Sequence, residues 1–217
     1  EVWKLWLANV RTPRYNYGDM RAMISGVELG AERLADIVRK YGRAVFAQTC
    51  EDLMDYAEKR MRAELAAIPD GRYSFVDYMD NDGVSDAEIR IEAHCHVMGE
   101  QLVVDYTGSS AQVRGPINAT LGVAWSAAYN AVLHLTDPSI PKNSGCFRPI
   151  KIIAPRGTVV NVDYPAPEVG GNTETHPRIA GVVIGALAQA APTRAMAGEG
   201  GTHLNFVFGG HDPKHDE

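Results

Sequence analysis

IRIEAHCHVM (Ile89–Met98) alternates apolar and polar side chains from Ile89 to Val97. Ile89, Ile91, Ala93, Cys95 and Val97 fall on one face of an extended chain, with Arg90, Glu92, His94 and His96 on the other. That is the period of a strand with one buried face. Met98-Gly99-Glu100 reverses the chain and Leu102 to Tyr106 returns, which reads as a hairpin. Upstream, Tyr73, Phe75 and Tyr78 lead into Asp80-Asn81-Asp82-Gly83, a turn cluster.

Helical patterns lie on both sides of this β-rich middle. Met23, Val27, Gly30, Leu34, Ile37, Val38 and Tyr41 recur at helical spacing, with Asp19 as the expected cap and Gly42 as the stop. A second helix is expected from Thr49, with Asp52 three residues on, to the turn at Pro69-Asp70-Gly71. LGVAWSAAYNAVLHL, from Leu121, is apolar nearly all round, the signature of a buried helix. Lys151–Ile153 and Thr158–Val162 flank Pro155-Arg156-Gly157 and read as a further hairpin. Pro177 suits the first turn of a last helix, in which Gly181 and Gly185 stand four apart and permit close approach of another element. Thr202–Phe208 reads as a strand. Local antiparallel pairs rather than strict βαβ alternation predict an α+β fold: a mixed, mainly antiparallel sheet with packed buried helices. Residues 1–70 form its helical segment and residues 71–217 its α+β segment.

Composition narrows the function. The 217 residues are 45% hydrophobic and 22% charged, with a net charge of −6. Such a chain buries a core without disulfides. No basic block or aromatic-basic stripe points to nucleic acid. No apolar run approaches the ~18 residues that span a bilayer, and no signal peptide is legible. Cys50, Cys95 and Cys146 form no CxxC pair, so a reducing cytoplasm is the expected compartment. Glu1 is not an initiator Met and the tail HDPKHDE follows FVFGG directly, which suggests a piece of a longer polypeptide.

Three segments rich in Gly, Pro and polar residues abut apolar elements: GPINAT (Gly115–Thr120), IPKNSGCFRPI (Ile140–Ile150) and VGGNTETHPRI (Val169–Ile179). Loops held by rigid elements are where binding chemistry concentrates. Arg148 offers a guanidinium for carboxylate or phosphate, or an internal ion pair with Glu174 or Asp105. Gly170-Gly171-Asn172 before a helix could meet an anion, although the P-loop Lys is missing and Glu174 would compete. His94 and His96 share a strand face, but Cys95 points away and no further ligand cluster is near. Aligned as a calcium loop, the Asp80–Gly83 turn puts Tyr78 and Ile89 at ligand positions, so that reading fails. Cys146 has no adjacent base and reads as an inert buried thiol. Asp105–Ser110 lacks the strand–GxSxG–helix context of a serine hydrolase.

Taken in order, NVRTP with the following Gly18-Asp19, IPDGRY, the D-x-DG turn, VDYTGSS, GPIN, IPKNSGCFRPI, P-x-G-T, GGNTETHPRI and the late FGG resemble the hydantoinase B/oxoprolinase family across almost the whole chain. The resemblance implies the central part of a B-type subunit of an ATP-dependent cyclic-amide hydrolase. An A-type ATPase partner would supply ATP and phosphorylate the substrate, within a homo- or hetero-oligomer. It also implies kinship with acetone and acetophenone carboxylase subunits, and a carboxylase subunit is the first alternative. A non-catalytic assembly module is the second. A divalent metal of the full-length subunit would have its His- and Asp-rich ligands in a region preceding this chain, so none is assigned here. His176-Pro177 departs from the more polar pair expected at that point, which bears on substrate choice.

An activated, anionic intermediate calls for preorganised donors. Arg148, Glu174 and Asn118 are the expected catalytic residues. Asn143, Asn172, Arg178, Gly170 and Gly171 are the expected substrate-binding residues. The reading requires the turns around Asn118, Arg148 and Glu174 to converge on one pocket.

Overall fold

The computed structural model describes residues 1–198, 200–203, 210 and 214. The chain divides into two units, Glu1–Leu53 and Met54–Glu217.

The first unit is helical. Helix α1 spans Val2–Leu7 and α2 spans Pro13–Tyr41. Helix α2 starts six residues before the Asp19 expected to cap it, because Pro13 occupies its first turn. Proline there has its φ already set and no N–H to leave unpaired. The stop at Gly42 is as read: φ is 82° and its N–H donates to the Val38 carbonyl at 2.8 Å. Helix α3 follows at once, over Arg43–Ala66. Thr49 is therefore inside a helix rather than at its cap, and its Oγ1 donates back to the Val45 carbonyl at 2.8 Å.

The second unit is built on a sheet of order β1-β2-β3-β4. Strand β1 spans Gly71–Met79, β2 Ile89–Met98, β3 Gln101–Asp105 and β4 Ile150–Ile153. The alternation in β2 places Ile89, Ile91, Ala93, Cys95 and Val97 in the core. β1 and β2 pair antiparallel from Gly71↔Val97 to Met79↔Ile89, and β2 and β3 form the expected hairpin. The mixed sheet with its buried helices makes the unit α+β.

Helix α4 spans Leu121–Leu135, the apolar run itself, and buries Ala124, Ala127, Ala128, Ala131, Val132 and Leu135. Thr120 caps it, accepting from the Val123 N–H at 3.4 Å. Helix α5 spans His176–Ala188, with Pro177 in its first turn. It packs against α4 on one side and against β1 and β2 on the other. The α3 residues Ala57, Met61 and Leu65, four apart, join the same core. Met61 and Leu65, fully buried, each contribute about 1.5–3 kcal/mol.

The second expected hairpin does not form. β4 pairs in parallel with β3, Leu102 opposite Ile150 and Asp105 opposite Ile153. Parallel neighbours need a crossover, and the stretch containing α4 supplies it. Gly157 does make the turn, with φ of 73°. Residues 158–162 then bond to the loop before α4 instead of to β4: Val159 N–H donates to Ser110 O at 3.0 Å, and Ala119 N–H to Val159 O at 2.7 Å. The strand expected from Thr202 to Phe208 lies, after His203, outside the described residues. Among the described residues no helix is long and apolar enough to cross a membrane.

Candidate functional site at the entry to α5

Two of the three Gly/Pro-rich segments fold onto each other. Gly171–Thr175 forms a π-helical turn that leads into α5. Such turns recur at functional sites. Gly170 N–H donates to the Pro116 carbonyl at 2.6 Å. Thr175, fully buried, donates its hydroxyl to the Ile117 carbonyl. A Cβ on Gly171 would stand 2.2 Å from the Asn118 carbonyl oxygen, so only glycine fits.

Asn118 is the knot beneath this contact. Its side chain is fully buried. Oδ1 accepts from the Val113 N–H at 2.8 Å, and Nδ2 donates to the carbonyls of Val113 at 2.9 Å, Pro167 at 2.8 Å and Gly115 at 3.2 Å. Every polar atom of the amide is engaged with backbone. Asp82, from the acidic turn, anchors the same loop by accepting from Gly115 N–H at 2.8 Å. It also accepts from Val84 and Ser85 N–H at 2.9 and 2.7 Å. These donors, Ser85 first, then Val84 and Gly115, hold its carboxyl down to about 2.

The third segment goes elsewhere. Asn143 caps a 3₁₀ turn over Ser144–Phe147, accepting from Gly145 N–H at 2.9 Å. A Cβ on Gly145 would stand 2.0 Å from the Met54 carbonyl oxygen, which seats this turn on α3. Arg148 donates to Asp55 at 2.7 Å and Glu58 at 3.0 Å, both on α3, and not to Glu174 or Asp105 in any bond described. The two carboxylates raise its pKa further, Asp55 first. The expected convergence of Asn118, Arg148 and Glu174 is thus corrected. Asn118, Gly170, Gly171 and Glu174 belong to one neighbourhood, while Asn143 and Arg148 belong to another. Asn172, in the π-turn, is exposed.

Arg178 and Gly201 form a common wall between two adjoining hollows, and Glu174 lines the smaller of them. The smaller, of about 280 Å³, is lined by Asp80, Asn81, Glu174 and Thr202 among others. The larger, of about 540 Å³, runs along α5 past Phe75, Asp77, His134, His176, Gly181 and Ile184. Arg178 donates to Asp77 at 2.7 Å. Thr202 donates its hydroxyl to Glu174, and His203 N–H donates to the Thr173 carbonyl at 3.0 Å. Residues 201–203 therefore line both hollows and are tied to the π-turn. Gly201 has φ of 73°, and a Cβ there would meet the Arg178 guanidinium at 2.8 Å.

Asp77 was missed from sequence. An Asp inside a strand, where that residue is depleted, was the available signal. Cys95 and Cys146 are unsuited to nucleophilic work. Burial pushes the Cys95 thiol up to about 12 and raises Cys146 as well. His94 shares hydrogen bonding with Ser74 Oγ at 2.7 Å and stands 3.5 Å from Glu92. Among the described residues no group of three or more His, Cys, Asp or Glu side chains is placed to hold a metal ion.

A family model described as hydantoinase B/oxoprolinase matches residues 1–217. A protein of Pseudomonas sp. (strain NS671), named as the B component of a D-/L-hydantoinase, is 39% identical over 214 residues, 92% of this chain and 35% of that protein. The beta component of the caprolactamase of Pseudomonas jessenii is 31% identical over 218 residues, 100% of this chain and 37% of the relative. The crystal structure of the ATP-dependent caprolactamase from the same organism superposes with a TM-score of 0.81 at 31% identity, over 89% of this chain and 33% of that one. Nucleotide-free acetone carboxylase shares the fold, with a TM-score of 0.77 at 18% identity over 88% of this chain and 27% of that one. The chain thus spans about a third of the length of the curated relatives named here.

Proposed function

The chain belongs to the hydantoinase B/oxoprolinase family, and from that premise we propose that it carries the amide-handling cleft of an ATP-dependent cyclic-amide hydrolase. An A-type ATPase partner phosphorylates the amide oxygen of the ring. Water then adds to the ring carbon, the C–N bond opens with a proton passing to nitrogen, and a second water releases phosphate from the acyl phosphate. Glu174 orients the first water and takes its proton. Arg178, held by Asp77 through one of its five donors, turns the others toward the phosphoryl oxygens. Asn118, Gly170 and Gly171 shape the loop that presents Glu174. The supporting observation is the pairing of a carboxylate and a guanidinium, four residues apart on the turn into α5, on one cleft. Likeness to the caprolactamase at 31% identity favours hydrolysis over ketone carboxylation, for which the likeness is one of fold alone.

The test uses the full-length subunit with its ATPase partner and ATP, fed hydantoin, 5-oxoproline, caprolactam or acetone, with and without bicarbonate. Ring opening of an amide is expected, and Glu174→Gln is expected to slow it by about 10²–10⁴-fold while the complex still assembles. Bicarbonate-dependent consumption of acetone, or undiminished turnover by Glu174→Gln, would overturn the reading. The latter would favour an assembly role.

A further inference from the structure

The cleft beside α5 is chemically lopsided. Phe75, Ala180 and Ile184 give its long wall an apolar character. The polar groups along that wall, Asn130 and His134 among them, are amide and imidazole. Amide and imidazole groups can hydrogen-bond to the N–H and C=O of an uncharged ring. The carboxylates and the guanidinium gather at the end near the π-turn. There Asp77, Asp80 and Glu174 face a single guanidinium, Arg178, among the described lining residues. Arg178 already donates to Asp77 at 2.7 Å.

We propose that this cleft selects uncharged cyclic amides with an apolar body and rejects rings that carry a carboxylate. The inference rests on the reading of the cleft given under Proposed function and narrows it to a substrate class. A ring carboxylate would enter beside three carboxylates. It would have to take Arg178 from Asp77 or from the phosphoryl group, and no second Lys or Arg lines the cleft among the described residues. Discrimination of this kind comes from leaving a charge unpaired, and it exceeds what shape alone supplies. An apolar ring meets no such penalty and removes the Phe75 and Ile184 surfaces from water.

Gly181 sets the room available. It lines the cleft, and a Cβ added there meets nothing within 4 Å. Gly185, one turn on, is the opposite case: a Cβ would strike the Phe75 ring at 2.7 Å. A methyl at 181 therefore enters the cleft without displacing its walls.

The experiment compares 2-pyrrolidinone with 5-oxoproline, which share a five-membered lactam ring and differ by one carboxylate. Caprolactam serves as the larger ring. The full-length subunit with its ATPase partner and ATP is assayed as parent, Asp77→Asn and Gly181→Leu. The parent is expected to favour 2-pyrrolidinone by about tenfold or more in kcat/KM. Asp77→Asn, which frees Arg178, is expected to shift that ratio toward 5-oxoproline by about tenfold. Gly181→Leu is expected to depress caprolactam turnover more than that of 2-pyrrolidinone. Where leucine is not tolerated, Gly181→Ala takes its place, with a rise in KM for caprolactam as the readout.

Equal or better use of 5-oxoproline by the parent, with the residue 181 variants still impaired, sinks the substrate class and leaves the cleft in place. Residue 181 variants that fold and turn over all three amides like the parent sink the cleft itself, and this inference with it. No ring opening of any amide by the parent complex sinks both.

Discussion

Asp82 and Gly115, 33 positions apart in the chain, are joined by a hydrogen bond of 2.8 Å from the Gly115 N–H to the Asp82 carboxylate. The bond ties the turn after β1 to the loop on which the α5 entry rests. Asp82 has a folded-state pKa of about 2, below the 3.8 of an ordinary Asp, because three backbone N–H groups favour its charged form. Its stabilisation is therefore complete above about pH 4 and is lost as pH falls toward 2. Thermal midpoints recorded across that window should fall steeply for the parent. Asp82→Asn should start lower and vary less, and parallel curves would show that this carboxylate does not govern the acid limb.

Gly171 and Gly181, ten positions apart, should respond oppositely to alanine. At Gly171 the added methyl would meet the Asn118 backbone carbonyl at 2.2 Å, and backbone cannot swing aside as a side-chain end can. Overpacking there is expected to cost about 1–3 kcal/mol. At Gly181 the methyl enters open space on a helix. Loss of the glycine's extra unfolded-state freedom should then stabilise by about 0.5–1 kcal/mol. Urea midpoints of the two variants give the signs directly.

Asn118 and Arg148 should separate structural from catalytic effects. Asn118→Ala strands the Val113 N–H and the Val113 and Pro167 carbonyls in the interior. A loss of about 2 kcal/mol or more is expected by equilibrium unfolding. Arg148 pairs with Asp55 and Glu58 at the surface, so Arg148→Ala should barely move the thermal midpoint. Its turnover in the full complex should stay within about threefold of the parent. A large selective fall in kcat would return Arg148 to the catalytic machinery.

Tyr106 lies in the core with its hydroxyl paired to no protein group among the described residues. Burial raises its pKa well above that of an ordinary phenol, so it remains a neutral hydroxyl. Removing the unpaired oxygen leaves the ring packing intact. Tyr106→Phe is expected to stabilise by about 1 kcal/mol in denaturant titration, and a destabilised variant would show that the oxygen has a partner.

Local periodicity carried much of the fold. Strand β2 and its hairpin, helix α4 and the stop at Gly42 were legible because each is decided within a dozen residues, by alternation, apolar content or one backbone angle. The starts of α2 and α3 were placed too late. Asp19 and Thr49 are good caps by type, but a Pro at position 13 and uninterrupted helical spacing after Gly42 override them. The expected partner of β4 was wrong, since a four-residue strand such as IKII carries too little pattern to fix its pairing direction.

The site divides in the same way. Sequence marked the GGNTETHPRI segment, Glu174 and Arg178, and carried the family resemblance, because those residue types seldom gather before a helix without reason. It did not reveal that Asn118 is spent on backbone hydrogen bonds, that Arg148 turns to α3, or that Asp77 holds Arg178. Each of those is a choice among distant partners of matching charge or hydrogen-bonding type. Tertiary packing decides each by bringing one set of partners within about 3 Å: α5 against β1 for Arg178, the 3₁₀ turn against α3 for Arg148, and the folded loop around Asn118.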